Sequence, residues 1–338
     1  MCVPAARKAI SFAIILPLTL VVIENGHEIA VYFSGAPPPT PTISQDDLSL
    51  IHQQIMQTEG QIRLPREAMR LSPEAMSRWE IDGYVSNVPL LSAAEAAALS
   101  RELDALLANH TDDARWHEIH ENESGDPEAV LAHGLGHWRM GHLLHDLVFH
   151  PRIAAIASQL LGDRPIRLFH DQFFVKPPGR GGPVAWHQDY SYWTRTRPMN
   201  HLTFHIALDD CTSDDIGGLQ FIPGSHRWRD APLPITDLHF RDLGSIQAVL
   251  EPSERAAFRP TPASLRVGEM SVHHALSVHG SLPNQSDRAR RALVVNVFGD
   301  GTYFDDRDSG RDTGGLVLEG VPRFEIGAKL EGQFFPLL

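Results

Sequence analysis

Two histidine-containing tripeptides have the spacing of a metal-binding pair. With 19 histidines and 42 acidic residues in 338 positions, about two His-x-[Asp/Glu] tripeptides are expected by chance. Two occur, His110-Thr111-Asp112 and His187-Gln188-Asp189. The tripeptide alone is therefore uninformative, and its surroundings must distinguish the two copies.

The surroundings favour His187 and Asp189 as metal ligands. The pair follows a glycine-rich turn, residues 179–182, on what we predict to be the edge of a strand. Because alternate side chains of an extended segment point to one face, both residues can reach a single ion. His110 instead lies in a polar turn after an Ala-rich helix, where Asp112 is better interpreted as a solvated or capping residue.

The third ligand must be a histidine on another strand, and His279 is the best candidate. It follows the apolar run 270–278. Two imidazoles and one carboxylate on one face of an octahedral ion leave three positions open, as in iron(II) oxygenases. A bidentate 2-oxo acid and O₂ would fill those positions. The sequence therefore predicts Fe(II) held by His187, Asp189 and His279.

A 2-oxoglutarate cosubstrate also needs a cation for its distal carboxylate. Arginine suits this role because its planar fork makes two parallel hydrogen bonds to a carboxylate. Arg288, Arg290 and Arg291 follow His279 closely, and Arg290 leads into the apolar run 292–298. A charged turn that faces solvent would account for the other two arginines.

The remaining histidines near these motifs are interpreted as structural. His133, His137, His142 and His145 could bind a second metal, but their spacing and the nearby glycines favour a flexible lid or a helix start. His205, within an apolar run, is predicted to be a core or rim residue rather than a fourth metal ligand.

Two further groups lie beside the predicted ligands. His273 and His274 are adjacent on a predicted strand, so they face opposite sides and cannot both be ligands; packing is predicted for each. Tyr190, Tyr192 and Trp193 follow the metal motif, and they are equally consistent with an apolar substrate wall and with core packing.

The elements that must position these residues change in type along the chain. Ser92 and Glu95 form a capping box before an Ala-rich helix over 93–107, and a second helix is predicted from Leu143 to Leu161, ended by Gly162. Helices followed by many short strands indicate a helical layer packed on a β-sandwich or jelly roll. The strands are predicted at 166–175, 202–208, 219–222, 270–278 and 292–298.

The N-terminal residues are set apart by their composition. Arg7 and Lys8 precede the apolar run Ala9–Ile23, which resembles a secretory signal, although Pro17 interrupts it and it is short for a membrane span. A dispensable N-terminal extension is the alternative. Residues 36–42 form a proline-rich linker. We predict residues 1–35 as the extension or signal-like segment, 36–70 as the linker and 71–338 as the catalytic domain.

Composition excludes several classes of protein. A formal net charge of −13 disfavours nucleic acid and anionic membrane surfaces as partners. Only two cysteines, Cys2 and Cys211, exclude a disulfide framework and thiolate-rich zinc sites. A cytoplasmic location is expected unless the N-terminal segment is an export signal. The sequence leaves the oligomeric state open.

Several motifs, taken together, resemble the phytanoyl-CoA dioxygenase-like family of iron and 2-oxoglutarate oxygenases. The likeness covers roughly residues 71–299, and its motifs stand in the family's order. They are Lys176-Pro177-Pro178, Trp186-His187-Gln188-Asp189-Tyr190, Gly217-Gly218-Leu219 through Pro223-Gly224-Ser225-His226, and His279-Gly280-Ser281 with Asn284, Ser286 and Arg290.

The resemblance implies a mainly β fold, a double-stranded β-helix (jelly roll, cupin-like) core with flanking N-terminal α-helices. It also implies roles for individual residues. The spacing of eleven residues from His279 selects Arg290 for the distal carboxylate of 2-oxoglutarate. Ser281 would assist Arg290, and Gln188 would contact the oxo acid. One departure is His205, which stands where many relatives carry tryptophan and so changes the wall of the cosubstrate pocket.

The activity implied is a dioxygenase that hydroxylates a small organic molecule and releases succinate and CO₂. Related halogenases lack the carboxylate ligand, so the presence of Asp189 favours hydroxylation, with desaturation and ring closure left open. A cupin-like metal enzyme that does not use 2-oxoglutarate is one alternative, and it would have no need of Arg290. A non-catalytic ligand-binding barrel is another, and it predicts the loss of a ligand that this chain retains.

Overall fold

The structure is a computed structural model. It describes residues 69–109, 117–234, 242–306, 321 and 324–338, together with the backbone of 19–24 and 27–32. The chain divides into two units, Met1–Thr42 and Ile43–Leu338. The predicted linker at 36–42 and the His110-Thr111-Asp112 tripeptide lie outside the described residues.

The first unit contains a pair of strands, β1 (Thr19–Glu24) and β2 (His27–Tyr32), which pair in antiparallel fashion. Both strands fall within residues 1–35, the predicted extension or signal-like segment. In the described part of the chain, no helix combines the length and the apolar character that crossing a membrane requires.

Helices open the second unit, as the sequence predicts. The capping box is confirmed: the Ser92 amide donates to Glu95 Oε2 over 2.7 Å, and the Glu95 amide donates to Ser92 Oγ over 3.2 Å. The α-helices in the described residues of this unit are α1 (Pro73–Asp82), α2 (Ala93–Asn109), α3 (His142–Val148), α4 (Pro151–Leu160) and the short α5 (Pro252–Ala257).

The prediction of one helix from Leu143 to Leu161 is wrong, because the chain forms α3 and α4 with a break between them. Pro151 has no amide hydrogen and its ring clashes with the preceding turn, so it cannot continue α3. It is instead the first residue of α4, where proline is favoured, and the His150 side chain accepts a hydrogen bond from the Arg152 amide.

Antiparallel β-structure makes up the rest of the second unit. A seven-stranded sheet has the order β3-β12-β9-β14-β6-β5-β4, a four-stranded sheet has the order β11-β10-β13-β7, and β15 pairs with β8. The strands are β3 (Tyr84–Pro89), β4 (Glu118–His120), β5 (Ala132–Leu135), β6 (Ile166–Lys176), β7 (Val184–His187), β8 (Thr196–Arg197), β9 (His201–Ala207), β10 (Leu219–Phe221), β11 (Thr261–Pro262), β12 (Glu269–His274), β13 (His279–Ser281), β14 (Arg290–Gly299) and β15 (Tyr303–Phe304).

The predicted strand over 270–278 is wrong in its second half. β12 ends at His274, the Ser277 amide turns back to the His274 carbonyl over 2.8 Å, and His279 opens β13 in the other sheet. The turn residues between them, 275–278, are all buried, so the apolar pattern gives no sign of the turn. His279 therefore begins a strand rather than ending one.

The two faces of the seven-stranded sheet have different partners. On β14, Leu293, Val295 and Val297 pack into the main core together with residues of the first four helices. Arg290 and Val294 lie on the alternate face and line a cavity. Side chains on the helix-covered face hold the fold together, and side chains on the other face are free for chemistry.

Candidate metal centre

The predicted ligands meet at the pairing of β7 with β13. His187 is the last residue of β7 and the register partner of His279 on β13, and Asp189 opens a short 3-10 turn, Asp189–Ser191. The ligand atoms of the three residues all lie within 4.8 Å of one another. No other group of three His, Cys, Asp or Glu side chains in the described ranges has this arrangement.

Both imidazoles present the same nitrogen to the centre. Nδ1 of His187 donates to the Ala185 carbonyl over 2.8 Å, and Nδ1 of His279 donates to the Ser277 carbonyl over 3.0 Å. Each Nε2 lies 3.4 Å from Oδ1 of Asp189. A backbone acceptor that fixes the Nδ1–H tautomer leaves the Nε2 lone pair for a metal, as is usual for ligating histidines.

The two oxygens of the Asp189 carboxylate have different roles, because one is hydrogen-bonded to neighbouring side chains and the other faces the two histidines. Oδ2 accepts hydrogen bonds from Thr203 Oγ1 at 2.5 Å and from His273 Nε2 at 3.0 Å. Burial raises the pKa of Asp189, but the neighbouring His279, His187 and His273 outweigh it and hold the pKa well below its usual range. The carboxylate is therefore ionised, with Oδ1 directed to the histidines.

His273 contributes to the centre in a way that the sequence did not predict. It is buried and lies opposite Thr203 in the β12–β9 pairing, so both side chains reach Asp189 from the same face. His274 lies on the other side of β12, where its Nδ1 accepts from the Leu276 amide. Packing is therefore confirmed for His274, whereas His273 orients the carboxylate.

A chain of hydrogen bonds runs across the sheet to Asp189. Asn296 Nδ2 donates to Thr203 Oγ1 over 2.9 Å, Gln172 Nε2 donates to Asn296 Oδ1 over 2.8 Å, and His133 Nε2 lies 2.9 Å from Gln172 Oε1. Because Gln172 and Asn296 each use an amide group to donate, every donor in the chain points toward Asp189. His133 must accordingly carry a proton on Nε2.

His133, on β5, is the outer end of this chain. Its Nδ1 lies 2.8 Å from Glu123 Oε2. Burial lowers its pKa, but Glu123, Gln172 and Glu118 together raise it above the usual value. The other histidines that could bind a second metal are His137, His142 and His145. His137 opens the 3-10 helix His137–Arg139 and His142 opens α3, as a helix-start role predicts, and His145 lies within α3.

The predicted cosubstrate arginine is buried without a carboxylate partner. Arg290 is 2% exposed, donates from Nη2 to His205 Nε2 over 2.8 Å, and has a buried Nε with no hydrogen-bond partner. Its register partner Lys176 is also buried and donates from Nζ to Ser281 Oγ at 2.7 Å and to the Leu282 carbonyl at 2.6 Å. Burial, and then the charge of Arg290, lower the pKa of Lys176 well below its usual value.

One cavity of about 630 Å³ joins the two parts of the site. Arg290, Ser281 and His205 line it together with the three predicted metal ligands. Because the Ser281 oxygen accepts from Lys176, its own proton remains available to donate to a ligand. The donor set fits an iron ion with an anionic cosubstrate between the metal and Arg290.

Gln188 is not brought to this cavity. Its side-chain amide donates to the Leu276 carbonyl over 2.7 Å and accepts from the Leu233 amide over 2.6 Å, and it is not among the lining residues. It joins two loops behind the metal ligands. The contact with the oxo acid that the resemblance implied therefore has no support in this arrangement.

Of the three candidate arginines, only Arg290 lines the cavity. Arg291 is paired with Asp209 at 2.9 Å, and Arg288 is exposed. His205 accepts from Arg290 and lies outside the group of metal-ligand atoms, as the rim role predicts. Burial, and then the charge of Arg290, lower the pKa of His205 well below its usual value, so its imidazole is neutral.

The aromatic residues after the metal motif divide between wall and core. Tyr192 and Trp193 line the cavity, whereas the Tyr190 hydroxyl donates to the Thr196 carbonyl within the core. Further aromatic rings on the cavity wall are Trp138, Phe169, Phe174, Phe334 and Phe335. The lining combines these rings with polar and charged side chains, among them Glu118, Glu123 and Arg139.

Fold and site together define a class, that of antiparallel β-sheet proteins in which a two-histidine, one-aspartate centre shares a cavity with a buried cation. The family model for phytanoyl-CoA dioxygenase (PhyH) matches residues 79–292. The chain belongs to the phytanoyl-CoA dioxygenase family.

Individual relatives have related chemistry. The chain is 29% identical over 250 residues to the probable alpha-ketoglutarate-dependent hypophosphite dioxygenase of Stutzerimonas stutzeri, covering 68% of this chain and 84% of the relative. The carbocyclase SnoK from nogalamycin biosynthesis superposes with a TM-score of 0.63 at 26% identity, covering 81% and 98% of the two chains. The epimerase SnoN, in complex with Fe³⁺, alpha-ketoglutarate and nogalamycin RO, has a TM-score of 0.63 at 27% identity, covering 81% and 99%.

Proposed function

We propose that this protein is an Fe(II)- and 2-oxoglutarate-dependent dioxygenase that hydroxylates a small organic molecule. The observation that carries the proposal is the buried, carboxylate-free Arg290 in the same cavity as His187, Asp189 and His279. In this assignment the three ligands hold iron, and Arg290 with Ser281 holds the distal carboxylate of 2-oxoglutarate. A buried guanidinium without a carboxylate partner is costly, and a dicarboxylate would supply the missing charge.

The overall reaction converts a C–H bond, O₂ and 2-oxoglutarate into an alcohol, succinate and CO₂. Iron, when bound, supplies the activation of O₂. The chain's own contribution is to hold the ligands in one protonation state, to bind the cosubstrate at a fixed orientation, and to enclose the reacting C–H bond within an apolar wall.

Hydroxylation is the reaction we assign, because Asp189 is retained as a ligand. The names of the relatives include a dioxygenase, a carbocyclase and an epimerase, so desaturation and ring closure are the competing outcomes at the same centre. A cupin-like enzyme that does not use 2-oxoglutarate would not need Arg290. A non-catalytic barrel would not need the intact ligand set.

The proposal extends to the architecture. We assign the seven-stranded and four-stranded sheets to the two halves of a double-stranded β-helix, and residues 71–338 to one catalytic domain. Support comes from the similarity of 81% of the chain to SnoN, a protein that binds Fe³⁺ and alpha-ketoglutarate. The cytoplasmic location stays a prediction.

Anaerobic titration tests the function directly. Addition of 2-oxoglutarate to the protein with Fe(II) should produce a visible charge-transfer band that saturates at one equivalent. Succinate released above background in a screen of small organic molecules would then identify the substrate. A protein that binds iron but gives no band on addition of 2-oxoglutarate would favour the cupin-like alternative.

A further inference from the structure

A second buried arginine, Arg139, lines the same cavity as Arg290. Arg139 ends the 3-10 helix His137–Arg139 that follows β5, and it is 8% exposed. Its guanidinium carbon lies 4.7 Å from the centre of the Trp138 ring and 4.9 Å from that of Phe334. The cation is therefore held between two aromatic rings at the wall of the cavity.

Arg139 has no carboxylate partner. Its Nε is buried without a hydrogen bond, and the ion pairs found within the described ranges do not include it. Two other arginines, both partly buried, are paired: Arg229 with Glu254 at 2.5 Å and Arg291 with Asp209 at 2.9 Å. Burial lowers the pKa of Arg139 to about 10, so it is a cation at neutral pH.

The carboxyl group that acts on Arg139 only partly neutralises its charge. Asp171 is the acidic group whose charge acts on Arg139, but burial raises the pKa of Asp171 to about 7, against the opposing effects of backbone amides and of Arg139 itself. At neutral pH this carboxyl group is partly protonated. An uncompensated buried cation facing a cavity favours the binding of an anion there.

The two arginines are anchored at different points of β6. The Gly136 amide, three residues before Arg139, bonds to the Asp171 carbonyl on β6, whereas Arg290 pairs with Lys176, five residues further along the same strand. At roughly 3.3 Å per residue these backbone anchor points lie about 16 Å apart. With a five-carbon dicarboxylate assigned to Arg290, Arg139 remains for a second anion.

Resting on the function proposed above, we propose that Arg139 binds an anionic oxygen group of the substrate, and that the substrate is an organic anion with a flat apolar body. The anionic group is a carboxylate or a phosphonate, since both match the guanidinium fork. Trp138 and Phe334 would flank the anionic end. The body would lie along the aromatic wall toward the metal, in a cavity whose volume of about 630 Å³ suits a drug-sized ligand.

Equilibrium dialysis of matched probes tests this proposal. The probes are 2-naphthylacetate, 2-naphthylmethylphosphonate and the neutral 2-naphthylacetamide, each offered to the anaerobic protein with Fe(II) and 2-oxoglutarate. The wild-type protein should bind at least one anion ten-fold or more tighter than the amide. Equal affinity for all three probes, or no binding of either anion, would overturn the proposal. The difference between the two anions identifies the favoured group.

The variant Arg139→Met should weaken anion binding about 30-fold or more, since loss of one partner of a buried charge pair commonly has an effect of this size. Affinity for the amide and for 2-oxoglutarate should stay within two-fold of wild type. Arg180→Met, which removes an exposed charge outside the cavity, should change none of the three. Unchanged anion binding in Arg139→Met would overturn the proposal, and so would loss of 2-oxoglutarate binding.

Two further measurements separate binding from folding and from the proposed function. Arg139→Lys keeps the charge without the fork, so its anion affinity should lie between wild type and Arg139→Met. Removal of an unpaired buried charge should leave the melting temperature of the ligand-free protein unchanged or higher, whereas a purely structural role predicts a lower one. Loss of the 2-oxoglutarate band with anion binding retained would contradict the proposed function and leave the role of Arg139 in place.

Discussion

The hydroxyl of Thr203 donates a hydrogen bond to Oδ2 of Asp189 across 2.5 Å, and the same oxygen also accepts from His273. These bonds orient the carboxylate so that Oδ1 faces both histidines. Replacement of Thr203 by valine keeps the shape and removes the donor, so we expect iron affinity to fall by about 10- to 100-fold, as for other partners of metal ligands.

An Fe(II) titration read by competition with a chelator would measure this loss. Thr302→Val is a matched control, because Thr302 is also buried and hydrogen-bonded but its contacts are with Asn200 and Gly299. Equal iron affinity in Thr203→Val and wild type would mean that His273 alone orients the carboxylate.

The ligand assignment predicts a sharp contrast among histidine and aspartate variants. Asp189→Ala and His279→Ala should abolish iron binding, because two remaining ligands cannot complete the facial set. His274→Ala should retain iron, since His274 lies on the opposite face of β12 from Asp189. His110→Ala should retain it as well. Metal content after anaerobic loading is the measurement, and equal loss in all four variants would refute the assignment.

Arg290→Met should weaken 2-oxoglutarate far more than iron. Removal of one partner of a buried charge pair commonly costs about 2 to 5 kcal/mol. Arg291→Met is the matched control, because Arg291 is paired with Asp209 rather than facing the cavity. The charge-transfer band gives the affinity for the cosubstrate. If the Arg290 variant bound 2-oxoglutarate as tightly as wild type, another cation would have to hold the distal carboxylate.

Asp171 predicts a specific dependence of stability on pH. Burial raises its pKa from 3.8 to about 7, so between these values the folded state binds more protons than the unfolded state. The free energy of unfolding contributed by this group therefore falls as the pH rises from about 4 to about 7. Asp171→Asn should remove that fall.

Denaturant unfolding of wild type and Asp171→Asn across this pH range would show the effect as a growing difference that levels off above pH 7. The exposed Asp230 offers a control, and Asp230→Asn should run parallel to wild type. A constant difference between wild type and Asp171→Asn over the whole range would mean that Asp171 titrates alike in both states.

Local sequence patterns identified much of this site. His187 and Asp189 reach the same centre, as their spacing predicts, because Gln188 between them has an extended backbone with φ −118° and ψ 131°. The capping box before α2 is likewise a local signal. The apolar run before His279 indicated the third ligand, whereas the resemblance to the family selected Arg290 among three arginines.

The features of the site that the sequence could not predict depend on strand pairing. The role of His273 depends on its register opposite Thr203, and the chain from His133 through Gln172 depends on four neighbouring strands. Nothing in a single sequence specifies which strands are neighbours. The role predicted for Gln188 finds no support in the structure for a similar reason, because loops distant in sequence use both ends of its amide.

The register pairing of His187 with His279 has a consequence for how the protein matures. These residues stand 92 positions apart, so the ligand set is complete only after a long-range antiparallel contact has formed. Iron would then bind the finished fold and not its precursors. By linking the two ends of a large loop it would raise native stability with the logarithm of the free metal concentration. A nascent chain would hold too few ligands to assemble the oxidising centre before the aromatic wall encloses it.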